Sequence, residues 1–234
     1  MNMIEFVETE NFKAMNELAE KLTEIPKGAN AKIGLAYGNF GLGKTFSLER
    51  IVYKHKAVLL RARETWSVST AYGALCDALG LIRVRSSDNM FKLIQTSLLS
   101  EPKMIIIDEA DKLFGDKFAV LEAFRDIHDE AFTPFLFVGM ANFENRLKLR
   151  EHYHSRVAET VVFKNIPLDD IKKFCELSDV KIENDLVEYF AEKYPNLRKI
   201  QVLILRIESF CEQNDMESID LRGFKMSGVE YGAK

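Results

Sequence analysis

The stretch "YGNFGLGKTF" (37–46) sets Gly38, Gly43, Lys44 and Thr45 at the spacing G-x-x-x-x-G-K-[ST], directly after the short apolar run "KIGLAY". An apolar run of that length reads as one buried strand, and a strand that ends in such a loop is where the pattern binds phosphate. The constraint extends beyond these ten residues. A buried strand needs neighbours on both sides and helices over both faces of its sheet. In the loop, glycines let backbone N–H groups turn inward, Lys44 reaches the β- and γ-phosphates, and Thr45 gives its hydroxyl to Mg²⁺. Gly38, Asn39, Gly41, Gly43, Lys44, Thr45 and Phe46 are the expected nucleotide contacts, with ATP and Mg²⁺ as cofactors. The bland alternative is a glycine-rich turn with a surface lysine.

The rest of the chain supplies the neighbours. Phe12, Met15, Leu18, Leu22 and Ile25 fall three and four residues apart, which is one face of a helix over 10–25 that Pro26 and Gly28 break. After the loop, "KTFSLERIVYKH" continues as a helix, "AVLLRA" (57–62) reads as a strand, and "SVSTAYGALCDALG" reads as a helix ended by Gly80. "DNMFKLIQTSLLSE" is helical by spacing, and Met104 to Ile107 form the uninterrupted apolar run of a central parallel strand. A helix over roughly 118–131, the strand "PFLFVG", the helix "NFENRLKLR" and a last strand "TVVF" complete the alternation. The expected fold class is α/β, a parallel sheet of at least five strands sandwiched by helices, with ligands at the carboxyl ends of the strands.

From Pro167 the pattern is helical with no strand run, which predicts a small all-helical lid domain. The expected division is an α/β domain over 1–166, the lid over 167–213, and a tail over 214–234 that is loosely held or needs a partner.

Composition narrows the class. Of 234 residues 47% are hydrophobic, enough for a real core, and the formal net charge of −4 excludes a strongly basic nucleic-acid coat protein. A local basic stripe can still meet phosphates on an acidic chain. Cys76, Cys175 and Cys211 are far apart and form no C-x-x-C pair, so they read as reduced, buried thiols rather than a disulfide framework or a zinc site. The acidic start "MNMIEFVETENF" has no basic leader pattern, and no run is apolar enough to cross a membrane, so a soluble cytoplasmic protein is expected.

The second half of the phosphate site is "IIIDEAD", where Asp108 ends an apolar strand and Glu109 follows at once. A carboxylate at that point can hold the Mg²⁺ shell while its neighbour orients or deprotonates the attacking water. Asp108 is therefore a metal candidate beside Thr45, and Glu109 a catalytic one. A glutamate that activates water favours hydrolysis over transfer to a small molecule, which leaves a P-loop small-molecule kinase as an alternative. The letters "DEAD" do not make a helicase, whose two-lobed core needs far more chain.

With the phosphate loop, "IIIDEAD", "FLFVG", "HSRV" and "NLRKI" in this order, the chain resembles the AAA+ ATPases. Over roughly residues 10–213 it resembles their transposition-regulator branch, typified by phage Mu B, TniB and TnsC, and is similar in layout to origin-recognition initiators. The resemblance implies that Arg156 in "HSRVAETVVF" is an arginine finger reaching the nucleotide of an adjacent subunit, with Arg150 as its nearest rival; a finger in trans contributes about 10³ to 10⁵ in rate. It implies that Arg198 in "PNLRKI" is the sensor-2 arginine touching the γ-phosphate from the same chain. At the sensor-1 position "VGMAN" departs from the pattern: Met140 follows Gly139, and Asn142 is the first side chain able to hydrogen-bond the water. Hydrolysis is expected to be slow if Asn142 does not reach the site.

Proteins of this branch assemble in ATP as filaments or rings on double-stranded DNA, deliver or activate a transposase, and disassemble on hydrolysis. The resemblance therefore implies double-stranded DNA, a transposase and further copies of the chain as partners, and no membrane. A helicase or replication-factor loader is the alternative within the same class. Arg83 and Arg85 in "GLIRVRSSDN" fall in a region that lines the DNA channel in related assemblies; a solvated charged face is the bland reading. Contacts there would be to the DNA backbone, without sequence preference and weakened by salt. Trp66 in "RETWSVS" reads as packing rather than as a base-stacking platform.

Overall fold

The computed structural model describes residues 6–25, 32–194 and 196–231; Pro26 and Gly28, the expected helix breakers, lie outside them. The chain forms two compact units, one of residues 14–39 and 44–163 and one of residues 1–13, 40–43 and 164–234. Helix α1 (Glu10–Glu24) runs from the second into the first.

In the larger unit the chain alternates β1 (Ile33–Tyr37), α2 (Lys44–His55), β2 (Val58–Arg61), α3 (Val68–Ala78), α4 (Ser87–Ser100), β3 (Ile105–Asp108), α5 (Phe118–Ala131), β4 (Phe135–Gly139), α6 (Phe143–Lys148), α7 (Glu151–His154) and β5 (Val157–Val162). The five strands form one parallel sheet in the order β2-β3-β4-β1-β5. Strands β3 and β4 are buried at every residue, as their unbroken apolar runs require, whereas β5 at the sheet edge is half-covered. The register aligns Tyr37 with Gly139 and Arg61 with Asp108, so the loops after β1, β3 and β4 leave the same edge of the sheet. That edge is where an open parallel sheet binds ligands.

Helix α1 lies over β1 at Gly34, where a Cβ would stand 2.6 Å from the Leu22 side chain and 3.2 Å from that of Leu18. Trp66 is buried and meets Phe124 edge to face at 6.2 Å, so it belongs to the core and not to a base-stacking surface. All three cysteines are buried and free, and no helix among the described residues is long and apolar enough to cross a membrane.

The smaller unit corrects two expectations. It holds α8 (Leu168–Cys175), α9 (Asn184–Lys193), α10 (Leu197–Gln213) and α11 (Leu221–Ser227), but also a short parallel pair, β6 (Lys181–Ile182) with β7 (Ser218–Ile219). Strands of two residues carry no readable period, so the sequence showed only helices. The tail, expected to be loose, is built into this unit. Asp220 caps α11 by accepting from Gly223 N–H at 2.7 Å, and Gly228, at φ +70°, ends it. Phe224 is fully buried, with its ring edge-on to Phe190 at 5.5 Å. Glu230 accepts from Tyr189 Oη at 2.9 Å, from Lys193 Nζ at 2.5 Å and from Tyr194 Oη. Burial alone would raise its pKa; the three donors outweigh it and bring the carboxyl down to about 2.

A Phe224→Ala variant is expected to lose about 3 to 5 kcal/mol of stability in urea unfolding, the cost of emptying a fully packed aromatic site. A loss below about 1 kcal/mol would show that the tail is not part of the fold.

Candidate nucleotide site

Strand β1 hands the chain to the phosphate loop through Gly38. A Cβ there would stand 2.7 Å from the Phe163 Cβ and 2.8 Å from its carbonyl oxygen, and Phe163 N–H donates to Tyr37 O at 2.7 Å. Only glycine fits so close a passage. Gly41 and Gly43 take φ of +78° and +93°, the left-handed region that side chains disfavour. The loop closes on its own lysine: Lys44 Nζ donates to Gly38 O at 2.6 Å and to Asn39 O at 2.7 Å. Burial holds the Lys44 pKa below the usual lysine value, against the pull of Asp108 and Asp111. A phosphate entering the loop would give this ammonium a charged acceptor in place of two neutral carbonyls. Thr45 and Phe46 open α2 from exposed positions, and the twelve-residue helix adds its positive end to the site.

Residues 40–43 are held within the smaller unit. Leu197 N–H donates to Gly41 O at 2.9 Å, and a Cβ on Gly41 would collide with the Asn196 side chain at 2.1 Å. Asn196 caps α10 by accepting from Lys199 N–H at 3.2 Å and donates from Nδ2 to Phe40 O at 3.4 Å. Exposed Arg198 thus sits in the first turn of a helix whose N-terminus is hydrogen-bonded to Phe40 and Gly41 of the same unit.

Asp108 ends β3 almost fully buried. Its Oδ1 accepts from Glu109 N–H at 2.9 Å, while its buried Oδ2 has no hydrogen bond and meets only the ion-pairing Arg61 Nε, at 3.4 Å, among the described residues. Burial raises the Asp108 pKa; the Glu109 N–H and Arg61 oppose that rise. An oxygen so placed is buried and carries no hydrogen bond, so Asp108 with the Thr45 hydroxyl fits Mg²⁺ by donor type. No cluster of three His, Cys, Asp or Glu side chains suited to a metal occurs among the described residues. Glu109 has φ +56°, strained for a residue with a side chain, and Lys112 Nζ forms an ion pair with its Oε2.

The other expected residues are placed unevenly. Asn142, at the start of α6, is exposed and makes no capping hydrogen bond. Met140, which follows β4, offers its backbone N–H to Asp111 Oδ1 at 3.0 Å, so an acidic side chain from the segment after β3 binds here. Arg156 is half-buried, with Nε donating to Asp129 Oδ1 and Oδ2 at 2.7 and 3.0 Å. Arg150 lies over the Phe118 ring at 4.5 Å. Arg83 and Arg85 are both exposed, but Arg83 grips Asp77 with two donors and is committed to α3.

Sequence reasoning missed Tyr37, whose hydroxyl donates to Glu144 at 2.5 Å and ties the strand before the phosphate loop to α6. Burial, then this hydrogen bond, pushes the Tyr37 pKa up to about 12. It also missed Asn196, although an asparagine just ahead of an apolar helical run is a readable capping signal.

Residues 28–147, just over half of the chain, match the family described as AAA domain. A Staphylococcus aureus protein described as a potential ATP-binding protein is 23% identical, the alignment covering 92% of each chain. The fold is similar to the Aeropyrum pernix ORC2 protein in its ADPNP-ADP complexes, with TM-score 0.74, 15% identity, and coverage of 95% of this chain and 67% of that one. It is also similar to the Aeropyrum pernix ORC1 protein in complex with DNA, with TM-score 0.66, 16% identity, and coverage of 98% and 67%.

Proposed function

The chain belongs to the AAA domain family, and from that membership we propose that it is an ATPase whose ATP state assembles on duplex DNA and recruits a partner protein. The observation that carries this reading is Asp108. Its buried, hydrogen-bond-free oxygen ends the strand next to β4, one residue before a strained and partly exposed glutamate. Asp108 and Thr45 would hold Mg²⁺, which when bound neutralises charge on the β- and γ-phosphates. Lys44 and the loop N–H groups bind and orient the triphosphate, and Glu109 accepts a proton from the attacking water. Arg198 is the candidate sensor of the γ-phosphate. Arg156 is the candidate finger in trans, leaving Asp129 for the neighbouring subunit's nucleotide. With exposed Asn142 in the sensor-1 role, turnover of the isolated chain is slow.

The loader reading, in which the recruited partner is a replication protein such as a ring helicase, draws support from the similarity to the ORC2 and ORC1 folds. A second reading, delivery of a transposase to target DNA, rests on the resemblance carried by "FLFVGMANFENRL". Both require DNA contact through backbone phosphates, for which exposed Arg85 is the better placed of the two candidate arginines. Turnover measured with and without duplex DNA at low salt tests the shared core. ADP and phosphate released faster with DNA, an effect lost as salt rises, is the expected result. A phosphorylated small-molecule product, or turnover indifferent to DNA at every salt concentration, contradicts it.

A further inference from the structure

The smaller unit gathers positive charge around two tyrosine rings. Tyr189, on α9, and Tyr194, just after it, meet edge to face at 6.2 Å. Lys193 Nζ lies 5.0 Å from the Tyr189 ring centroid and 5.5 Å from that of Tyr194. Lys225 Nζ, from α11, lies 5.1 Å from the Tyr189 centroid, and Lys199 Nζ, from α10, lies 5.7 Å from that of Tyr194. Lys193 meets both rings and each of the others meets one, so the ammonium groups follow one another in a row: Lys225, Lys193, Lys199. Exposed Arg222, one turn before exposed Lys225 on α11, extends it.

The charges in this row are not matched. Lys193 is spent on the buried Glu230 carboxylate, to which Tyr189 and Tyr194 also give their hydroxyl protons. One acid thus answers one lysine. Lys199, Arg222 and Lys225 form no ion pair among the described residues, although the whole chain carries more acid than base. Gathering like charges is unfavourable, and the tyrosine faces offset part of that cost by attracting the ammonium groups. The rings also hold the lysine stems, so less side-chain freedom is lost when an anion binds.

We propose that this row is a contact surface for the sugar-phosphate backbone of duplex DNA, with Lys199 and Lys225 binding phosphates on either side of Lys193. The proposal deepens the proposed function and rests on its DNA contact, because it names a surface of the smaller unit that holds the duplex. The residue types select phosphate over a protein partner. Lysine is depleted from the cores of protein interfaces, whereas basic side chains supply much of the contact to DNA phosphates. Nothing in the row reads sequence: lysine is a point charge without a planar fork, and both tyrosine hydroxyls are engaged by Glu230.

Binding of two fluorescein-labelled duplexes of unrelated sequence, with ATP and Mg²⁺ over a salt series, tests the proposal in wild type, in Lys199→Gln/Lys225→Gln and in Lys199→Arg/Lys225→Arg. Lys193 is left in place, because its loss would strand Glu230. The glutamine pair is expected to bind both duplexes about tenfold or more weakly at about 0.1 M salt, with a salt slope lower by about 2 and an unchanged thermal melt. The arginine pair is expected to keep the wild-type slope, which a lysine needed only for packing would not require. Wild-type affinity and slope in the glutamine pair, or a loss of affinity with no change in slope, overturns the surface and leaves the proposed function standing. Poly-glutamate that releases the duplex from wild type as well as unlabelled duplex does would assign the row to an acidic protein and overturn it too. Wild type that binds neither duplex at any salt concentration overturns both.

Discussion

Lys44→Ala is expected to weaken ATP binding by about 10²- to 10³-fold while leaving the fold intact. Lys44 donates to two loop carbonyls, and in the proposed complex the same ammonium turns to the phosphates. A hydrogen bond to a charged group contributes about 1.5 to 3 kcal/mol, and losing two near the lower end, about 3 to 4 kcal/mol together, gives that range. Stability should change little. Lys44 is the first residue of α2, where alanine is a good helix former, and one of the two released carbonyls belongs to exposed Asn39. Titration with a fluorescent ATP analogue, beside a thermal melt, reads both quantities. Affinity within about threefold of wild type would remove the phosphate loop from the account.

Glu109→Gln should separate binding from chemistry. Glutamine keeps the length of the side chain, and the Glu109 N–H that holds Asp108 Oδ1 belongs to the backbone and survives the change. The variant is expected to bind ATP as wild type does and to turn over about 10² to 10⁴ times more slowly, the usual contribution of a positioned general base. Wild-type turnover in this variant would leave Asp108 as a metal candidate but vacate the catalytic role.

The parts of this molecule that could be read from its sequence are those in which local chemistry and tertiary structure demand the same thing. Ile105 to Ile107 and Phe135 to Val138 read as central strands because strands covered on both faces need unbroken apolar runs, and all are buried. The phosphate loop was legible because its backbone needs glycine at fixed intervals; Gly41 and Gly43 do take left-handed angles, and Gly38 passes too close to Phe163 for any side chain.

What escaped depends on partners far along the chain. Ile219, Phe224 and Val229 share no period, so the tail read as loose, yet Phe224 is buried against Phe190 and Glu230 is held by Tyr189, Lys193 and Tyr194. Arg83 and Arg85 alternate as expected of an exposed segment, but Asp77, across the Gly80 turn, captures the first of them. The Glu109–Lys112 pair lies within "DEADK", yet a four-residue 3₁₀ turn carries no helical period by which to foresee that the two side chains meet. That no polar side chain directly follows Gly139 was visible in "VGMAN"; the Asp111 side chain that binds Met140 N–H there comes from another loop.

In the proposed function, bound ATP makes this chain assemble on duplex DNA. Size by light scattering, with negative-stain imaging, in all four combinations of ATP-Mg²⁺ and duplex DNA at low salt tests it most directly. Rings or filaments that require both, and that fail to form with Lys44→Ala, are the predicted result. A monomer in every condition would contradict the claim and remove Arg156 from the chemistry, leaving it as the partner of Asp129 within its own chain.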